Sequence, residues 1–248
     1  MDFYDDLSPL YHLIFPDWRE SVRRQGGQLH QLIQHEWPQA ARLLDVSCGI
    51  GTQAIGLAAL GYQVSASDLS EKAVARAASE AQSLGLELTL SVGDMRQARA
   101  LHGTGFDVVL SCDNSVPHLL DDEEIGAALR EMLLCLRPGG GCLISVRDYA
   151  VEERGRNIVK HYGARVEEGR RYVLFQVWDF DGADHYDLCF FVVEEDLVSG
   201  VVVTHRMRSR YYAIGTDRLA GLMREAGFAN VRRIDGAYYQ PVLVGTRP

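Results

Sequence analysis

The sequence predicts an α/β fold: a doubly wound, mostly parallel seven-stranded sheet. Three observations carry this. Short apolar runs alternate with helical stretches from residue 42 to residue 146. The first run passes into a turn holding Gly49 and Gly51, and then into a helix. Three successive runs are followed by an acid: Asp45, Asp68 and Asp94.

In order, Arg42–Val46 reads as a strand and Thr52–Leu60 as a helix stopped by Gly61. Tyr62–Ala66 is the second strand. Glu71–Leu84 is a helix with Ser70 as its cap and Gly85 as its stop. Glu87–Val92 and Phe106–Ser111 follow as strands. Helix Glu123–Leu136 ends in the turn Arg137-Pro138-Gly139-Gly140-Gly141, and Cys142–Val146 is the fifth strand. After Tyr149 the pattern changes. Residues 171–180, 186–195 and 201–212 read as an antiparallel three-stranded insertion, joined at Asp181–Asp184 and Ser199-Gly200. A helix over Asp217–Ala226 and strands near Val231–Asp235 and Pro241–Gly245 return to the sheet. No repeat or linker interrupts the chain. The expected organisation is therefore one domain over 1–248: an aromatic helical lid (1–40), a core (41–150), the insertion (151–213) and the last helix and strands (214–248).

The 248 residues are 47% hydrophobic and 24% charged, enough apolar surface for a proper core. A net charge of −9 disfavours nucleic acid as a partner, which needs a basic face. Arg206, Arg208 and Arg210 share one strand face and read as solvated. No apolar run reaches the roughly 18–20 residues of a membrane span, and the acidic start Met-Asp-Phe-Tyr-Asp-Asp-Leu is unlike a signal peptide. Five cysteines without a C-x-x-C pair read as reduced thiols, with neither a disulfide framework nor a metal site. A cytoplasmic protein is expected, and a homo-oligomer is compatible with the composition.

The glycine turn and the acid nineteen residues beyond Gly49 point to a nucleoside-containing ligand. Gly49-x-Gly51-x-x-Ala54 also fits a dinucleotide fingerprint, so an NAD-dependent oxidoreductase is the alternative of another class. Three features argue against it. Asp45, four residues before Gly49, would repel a pyrophosphate but suits a sulfonium. Asp94-Met95 suits an adenine amino group and ring. A Leu-Arg-Pro-Gly-Gly-Gly turn precedes the fifth strand.

Strand–Asp–x–x–Cys–Gly–x–Gly, the second acid, Gly-Asp-Met and Leu-Arg-Pro-Gly-Gly together resemble the class I S-adenosylmethionine-dependent methyltransferases over about residues 42–147. The resemblance implies a Rossmann-like methyltransferase sheet with S-adenosylmethionine as the cofactor. It also implies that Gly49 and Gly51 face the methionine portion, Asp68 the ribose hydroxyls, and Asp94 with Met95 the adenine. Cys48, Leu69 and Cys112 complete that implied cofactor set. The segments Cys112–His118, Ser145–Tyr149, Tyr4–Trp18, Arg210–Tyr212 and Tyr239–Pro241 are similar to the glycine and glycine/sarcosine N-methyltransferases. Val46-Ser47 after the loop acid departs from their usual proline and alanine, and the N-terminal segment is short.

Methyl transfer from a sulfonium needs an unprotonated nucleophile held in line, with water excluded, so orienting groups matter more than a strong base. Arg147 can clamp a substrate carboxylate bidentately, and the resemblance gives an arginine there that role. Asn114 can orient an amine. His118 is a base or a packed histidine. Tyr4, Tyr11 and Trp18 offer aromatic faces to a sulfonium, or pack a helix on the sheet. Arg23 aligns with an arginine for the cofactor carboxylate. Of Tyr211 and Tyr212 only one faces substrate, because neighbouring strand residues point opposite ways. His12, His30 and His35 read as ordinary histidines. The expected reaction moves a methyl group to the nitrogen of a small amine, with glycine or sarcosine leading. The alternative is another small N-, O- or S-nucleophile.

Overall fold

The computed structural model describes residues 3–248; the first two residues of the expected lid lie outside it. The N-terminal segment is not one helix. Pro9 and Pro16 fall between α1 (Phe3–Leu7), a short 3₁₀ turn (Tyr11–Ile14) and α2 (Trp18–Glu36), because proline removes a donor and disfavours helix in the residue before it. Asp17 starts α2 by accepting from the Glu20 amide at 2.9 Å.

The core alternates: β1 (Arg42–Asp45), α3 (Thr52–Ala58), β2 (Gln63–Asp68), α4 (Glu71–Ser83), β3 (Thr89–Val92), α5 (Ala98–His102), β4 (Phe106–Ser111), α6 (Asp122–Cys135) and β5 (Leu136–Ser145), all expected except the short α5. Ser70 caps α4 through the Ala73 amide at 3.1 Å, and Asp121 caps α6 through the Glu124 amide at 2.8 Å. The Arg-Pro-Gly-Gly-Gly stretch, expected as a turn, begins β5 instead. Leu136 pairs with Phe106 and Gly141 with Val108, so the stretch is absorbed as a bulge.

The insertion has four strands, not three. β6 (Ile158–Glu167) precedes β7 (Arg170–Asp181), β8 (His185–Asp196) and β9 (Val202–Tyr212). Its polar residues and a register shift next to Gly163, at φ +87°, break the alternation that marks a strand in sequence. α7 (Thr216–Glu225), β10 (Ala229–Ile234) and β11 (Val242–Thr246) then complete the main sheet.

That seven-stranded sheet runs β10-β11-β5-β4-β1-β2-β3, with β10–β11 and β11–β5 antiparallel and the rest parallel. Core clusters cover both faces, so β1 and β4 are apolar runs rather than alternating ones. The reversal in strand order between β1 and β4 opens a crevice at the carboxyl ends of the strands. The second sheet, β6-β7-β8-β9, is antiparallel and alternates. Tyr172, Leu174, Trp178 and Phe180 of β7 and Tyr186, Leu188, Phe190 and Val192 of β8 point inward, where they pack with Phe3, Leu7, Leu13 and Tyr149. The insertion and the N-terminal segment therefore share one core. Arg206 and Arg208 are exposed on the outer face, and Arg210 pairs with Asp181 and Asp187. No helix among the described residues is long and apolar enough to cross a membrane.

Candidate functional site

β1 delivers Asp45 to the turn, and Gly49 (φ +52°) and Gly51 (φ +92°) bend it back into α3. A Cβ on Gly51 would lie 2.8 Å from the Ile55 side chain, so this glycine fits the loop tightly to its helix. A Cβ on Gly49 would meet nothing within 4 Å. Gly49 faces a cavity of about 390 Å³, also lined by Cys48, Asp68, Leu69, Asp94 and Met95. Asp68 supports the loop by accepting from the Gly49 amide at 2.8 Å and the Ser70 amide at 2.9 Å.

Asp45 is 1% exposed and does not line the cavity. Its Oδ1 accepts from the Ser47 amide at 3.1 Å, and its buried Oδ2 has no partner among the described residues. Burial, with nearby Asp68 adding to it, pushes its pKa up to about 7. A carboxyl that is easier to protonate in the fold stabilises below its unfolded pKa and loses that contribution as pH rises through about 7. Ligand-free Asp45→Asn is expected to gain stability relative to the parent between pH 4 and pH 8, by up to about 4 kcal/mol. Denaturant titrations of both proteins at several pH values check this.

The volume, the open glycine face, the apolar Leu69 and Met95, and the acids at the rim fit a nucleoside ligand with a cationic centre. S-adenosylmethionine fits that description.

A second cavity of about 740 Å³ lies against the first, between the main sheet and the insertion. Phe3, Tyr4, Tyr11 and Asp113 line both, and so form the partition. Asp113 accepts from the Tyr11 hydroxyl at 3.2 Å and from the Tyr239 hydroxyl. Burial raises its pKa, while the bond from Tyr239, Arg147 and the bond from Tyr11 pull the other way. Asp113 (φ +59°) and Asn114 (φ +64°) are both left-handed, a conformation that costs non-glycine residues free energy and gathers at functional sites. Ser145 holds the turn, its Oγ accepting from the Asp113 amide at 2.8 Å and its carbonyl from the Asn114 amide at 3.1 Å.

Asn114 reaches the larger cavity with its side chain engaged. Its Nδ2 donates to the Tyr149 hydroxyl at 2.9 Å and its Oδ1 accepts from the Arg147 amide at 3.0 Å. It thereby ties the turn after β4 to the turn after β5. Arg147 lies 4.9 Å from the Trp178 ring centroid and 3.8 Å from Glu152, and its buried Nε has no partner among the described residues. Lys160 of β6 lies 5.1 Å from the same ring and 2.8 Å from Glu152. Tyr211 stacks on Tyr186 at 5.1 Å and faces this cavity, whereas Tyr212 turns away to Asp122 at 2.9 Å.

His118 lines the smaller cavity. Its Nε2 meets the Tyr4 hydroxyl at 2.7 Å and its Nδ1 the Ser209 hydroxyl at 3.3 Å. Burial lowers its pKa to about 4, so the imidazole is neutral. The unfolded chain therefore binds a proton that the fold refuses between pH 6.5 and about 4, and stability falls as pH drops through that window. His118→Gln is expected to remove at most about 3 kcal/mol of that acid sensitivity, read as the pH dependence of thermal unfolding.

Several expected residues stand elsewhere. Trp18 is buried, with its indole N–H donating to Thr52 at 2.9 Å; it packs α2 on α3. Arg23 is exposed and paired with Glu20, one residue round the helix from Arg24, which does reach the larger cavity. Cys112 is buried at the end of β4, and Gly51 and Asp45 lie behind the loop; none of the three lines a cavity. His12, His30 and His35 bond to Glu167, Tyr62 and Glu36. Sequence reading missed Asp113 although its neighbours were chosen, and it missed Glu152, Lys160 and Trp178. The only signal for Asp113 was its place after β4; the others depend on how the insertion folds back.

Residues 43–140 match the family model described as a methyltransferase domain. The chain is 30% identical over 135 residues to dTDP-3-amino-3,4,6-trideoxy-alpha-D-glucopyranose N,N-dimethyltransferase of Streptomyces venezuelae, covering 54% of each chain. It is 29% identical over 164 residues to glycine/sarcosine N-methyltransferase of Parasynechococcus marenigrum, covering 63% of this chain and 57% of that one. The matches thus span about half the length of such relatives. Among solved structures, DesVI of Streptomyces venezuelae superposes with a TM-score of 0.82 at 22% identity over 98% of both chains. The S-adenosylmethionine-bound amino pentose methyltransferase CalS10 superposes at 0.80, with 22% identity over 97% of this chain and 95% of that one. At such identities the likeness shows the fold.

Proposed function

We propose that this chain, whose residues 43–140 match a methyltransferase domain, uses S-adenosylmethionine to transfer a methyl group to the nitrogen of a small amine that also carries an anionic group. The observation that carries this is the partition. One carboxylate, Asp113, borders both the cavity that suits the cofactor and the one beside it.

Bound S-adenosylmethionine supplies an electrophilic methyl on a sulfonium. Cys48, Gly49, Asp68, Leu69 and Met95 would hold it, with Asp94 at the cavity rim and Asp45 as a buried carboxyl behind the loop. Asp113 accepts a hydrogen bond from the acceptor amine, aims its lone pair across the partition and stabilises the positive charge that grows on nitrogen. Tyr4, Tyr11 and Tyr211 exclude water and fix the approach, and the neutral His118 holds the Tyr4 hydroxyl. Asn114 positions this machinery by joining two turns. Arg147, with an unused buried donor, and Lys160 receive the anionic group.

Glycine and sarcosine, the leading acceptors by resemblance, would fill a corner of a cavity of about 740 Å³. Cavities of roughly 300–1,000 Å³ enclose far larger molecules. The size favours a bulkier amine such as the amino sugars in the names of the relatives. The family, the two cavities and their shared carboxylate also support one methyltransferase domain over the whole chain. The test is release of S-adenosylhomocysteine with amino acids, amino sugars and nucleotide-linked amino sugars, each beside its hydroxyl analogue. Turnover restricted to the amines is expected. Equal turnover of the hydroxyl analogues would sink the nitrogen assignment. Arg147→Ala is expected to raise KM for the acceptor on the order of tenfold or more, with little change in cofactor KM, as removal of a charged hydrogen bond would.

A further inference from the structure

The carboxylate of Asp94, assigned to adenine by resemblance, is engaged within the protein by three donors of Arg96. Its Oδ1 accepts from the Arg96 amide at 2.8 Å and from Arg96 Nε at 3.0 Å; its Oδ2 accepts from Nε at 3.0 Å and Nη2 at 2.5 Å. A carboxylate offers about four such acceptor sites. Arg96 also reaches the opposite wall, where Nη1 donates to Glu124 Oε1 at 2.6 Å. Glu124 sits in the first turn of α6, and its Oε2 accepts from the Leu120 amide at 3.0 Å. Asp94, Arg96, Glu124, Leu119 and Leu120 all line the smaller cavity.

We propose that Arg96, not Asp94, recognises the base end of the nucleoside cavity. Carboxylates brace it from both sides through Nε, Nη1 and Nη2, which fixes the guanidinium plane and leaves its flat face for stacking on a purine. The same bridge fastens the Leu119-Leu120 loop to the turn after β3, so Asp94 and Glu124 are positioning residues that act through Arg96. This rests on reading that cavity as the cofactor site.

Calorimetric titration of the full chain with S-adenosylhomocysteine and, separately, with adenosine tests it. Removing the planar cation takes away its stacking surface, so Arg96→Ala is expected to weaken both ligands by a similar factor, on the order of tenfold or more. Arg96→Lys keeps the charge without the flat face and is not expected to restore affinity. Glu124→Gln leaves Arg96 in place but loosens one brace, and a smaller loss for both ligands is expected. Unchanged melting of the ligand-free variants separates these losses from misfolding. If Asp94 grips the base itself, removing Arg96 frees its oxygens. Retained or tighter binding by Arg96→Ala would therefore overturn the proposal, as would a loss confined to S-adenosylhomocysteine. Failure of the parent protein to bind either ligand would instead defeat the cofactor-site reading on which the proposal rests.

Discussion

Asp113→Asn is expected to lower kcat by roughly 10²–10⁴-fold, the range associated with a positioned acid or base, while affinity for S-adenosylhomocysteine stays within a few-fold of the parent. The substitution preserves the shape of the turn after β4 and an oxygen that can accept from Tyr11 or Tyr239. It removes the charge that faces the amine. Because burial raises the pKa of Asp113, the carboxylate forms above the ordinary carboxylate range. In the parent, kcat/KM is expected to climb with pH as Asp113 ionises and climb further as the free amine forms. In the variant the first rise is lost. Steady-state kinetics over pH, paired with calorimetric binding, separate this from a general loss of structure. A variant with near-parental kcat would remove Asp113 from the chemistry.

Gly56→Val should unfold the protein or leave it barely stable. α2 crosses α3 with backbone against backbone. A Cβ on Gly56 would stand 2.5 Å from the Val22 carbonyl oxygen and 3.0 Å from the Gly26 Cα, and a Cβ on Gly26 would stand 2.7 Å from the Gly56 backbone. Overpacking typically costs about 1–3 kcal/mol when side chains can yield. Here the obstacle is main chain on both sides, so the expected loss exceeds that range, against a total stability of about 5–15 kcal/mol for a typical domain. α3 also begins at the glycine loop, so a displaced α2–α3 crossing would move Gly49 and Gly51. Gly56→Ala, the milder change, is expected to lower the denaturation midpoint and weaken S-adenosylhomocysteine binding together. Chemical denaturation monitored by circular dichroism reads the first effect, and calorimetry the second. Parental stability in Gly56→Val would show that the two helices separate freely.

Neither Gly26 nor Gly56 announces this crossing in the sequence, because a close approach of helices is a property of the pair. The contrast with the core is instructive. Strands β1 and β4 and the Cys142–Ser145 half of β5 were legible because both faces are buried, so each is a near-continuous apolar run; β2 alternates and was legible from its place between two helices. β6 was not legible. It borders the larger cavity at Val159, Lys160, His161 and Tyr162, leaves Val166 exposed, and shifts register next to Gly163, so its pattern has no clean period. Gly49, Asp68 and Asp94 line the smaller cavity because their distance from strand ends fixes them there. Trp18 takes the packing role that the sequence also allowed, whereas Arg23 points away from the cavity that Arg24 reaches from the next position, because a helical segment gives no rotational phase until its partner is known. The acceptor side was only partly readable. Asn114, Arg147 and Tyr211 line the larger cavity, but Glu152 and Lys160, which line it too, and the buried Trp178 beneath Arg147 and Lys160 come from the insertion, whose position no local pattern encodes.

Methyl transfer to nitrogen is tested most directly with S-adenosylmethionine carrying a ¹³C-labelled methyl group, incubated with the full chain and an amine that supports S-adenosylhomocysteine release, the product being read by NMR. The expected spectrum has the labelled methyl bonded to the nitrogen of the acceptor, at parental rate with the intact protein and far more slowly with Asp113→Asn. A labelled methyl on oxygen or sulfur, or label that never leaves S-adenosylmethionine with any amine tried, would contradict the account.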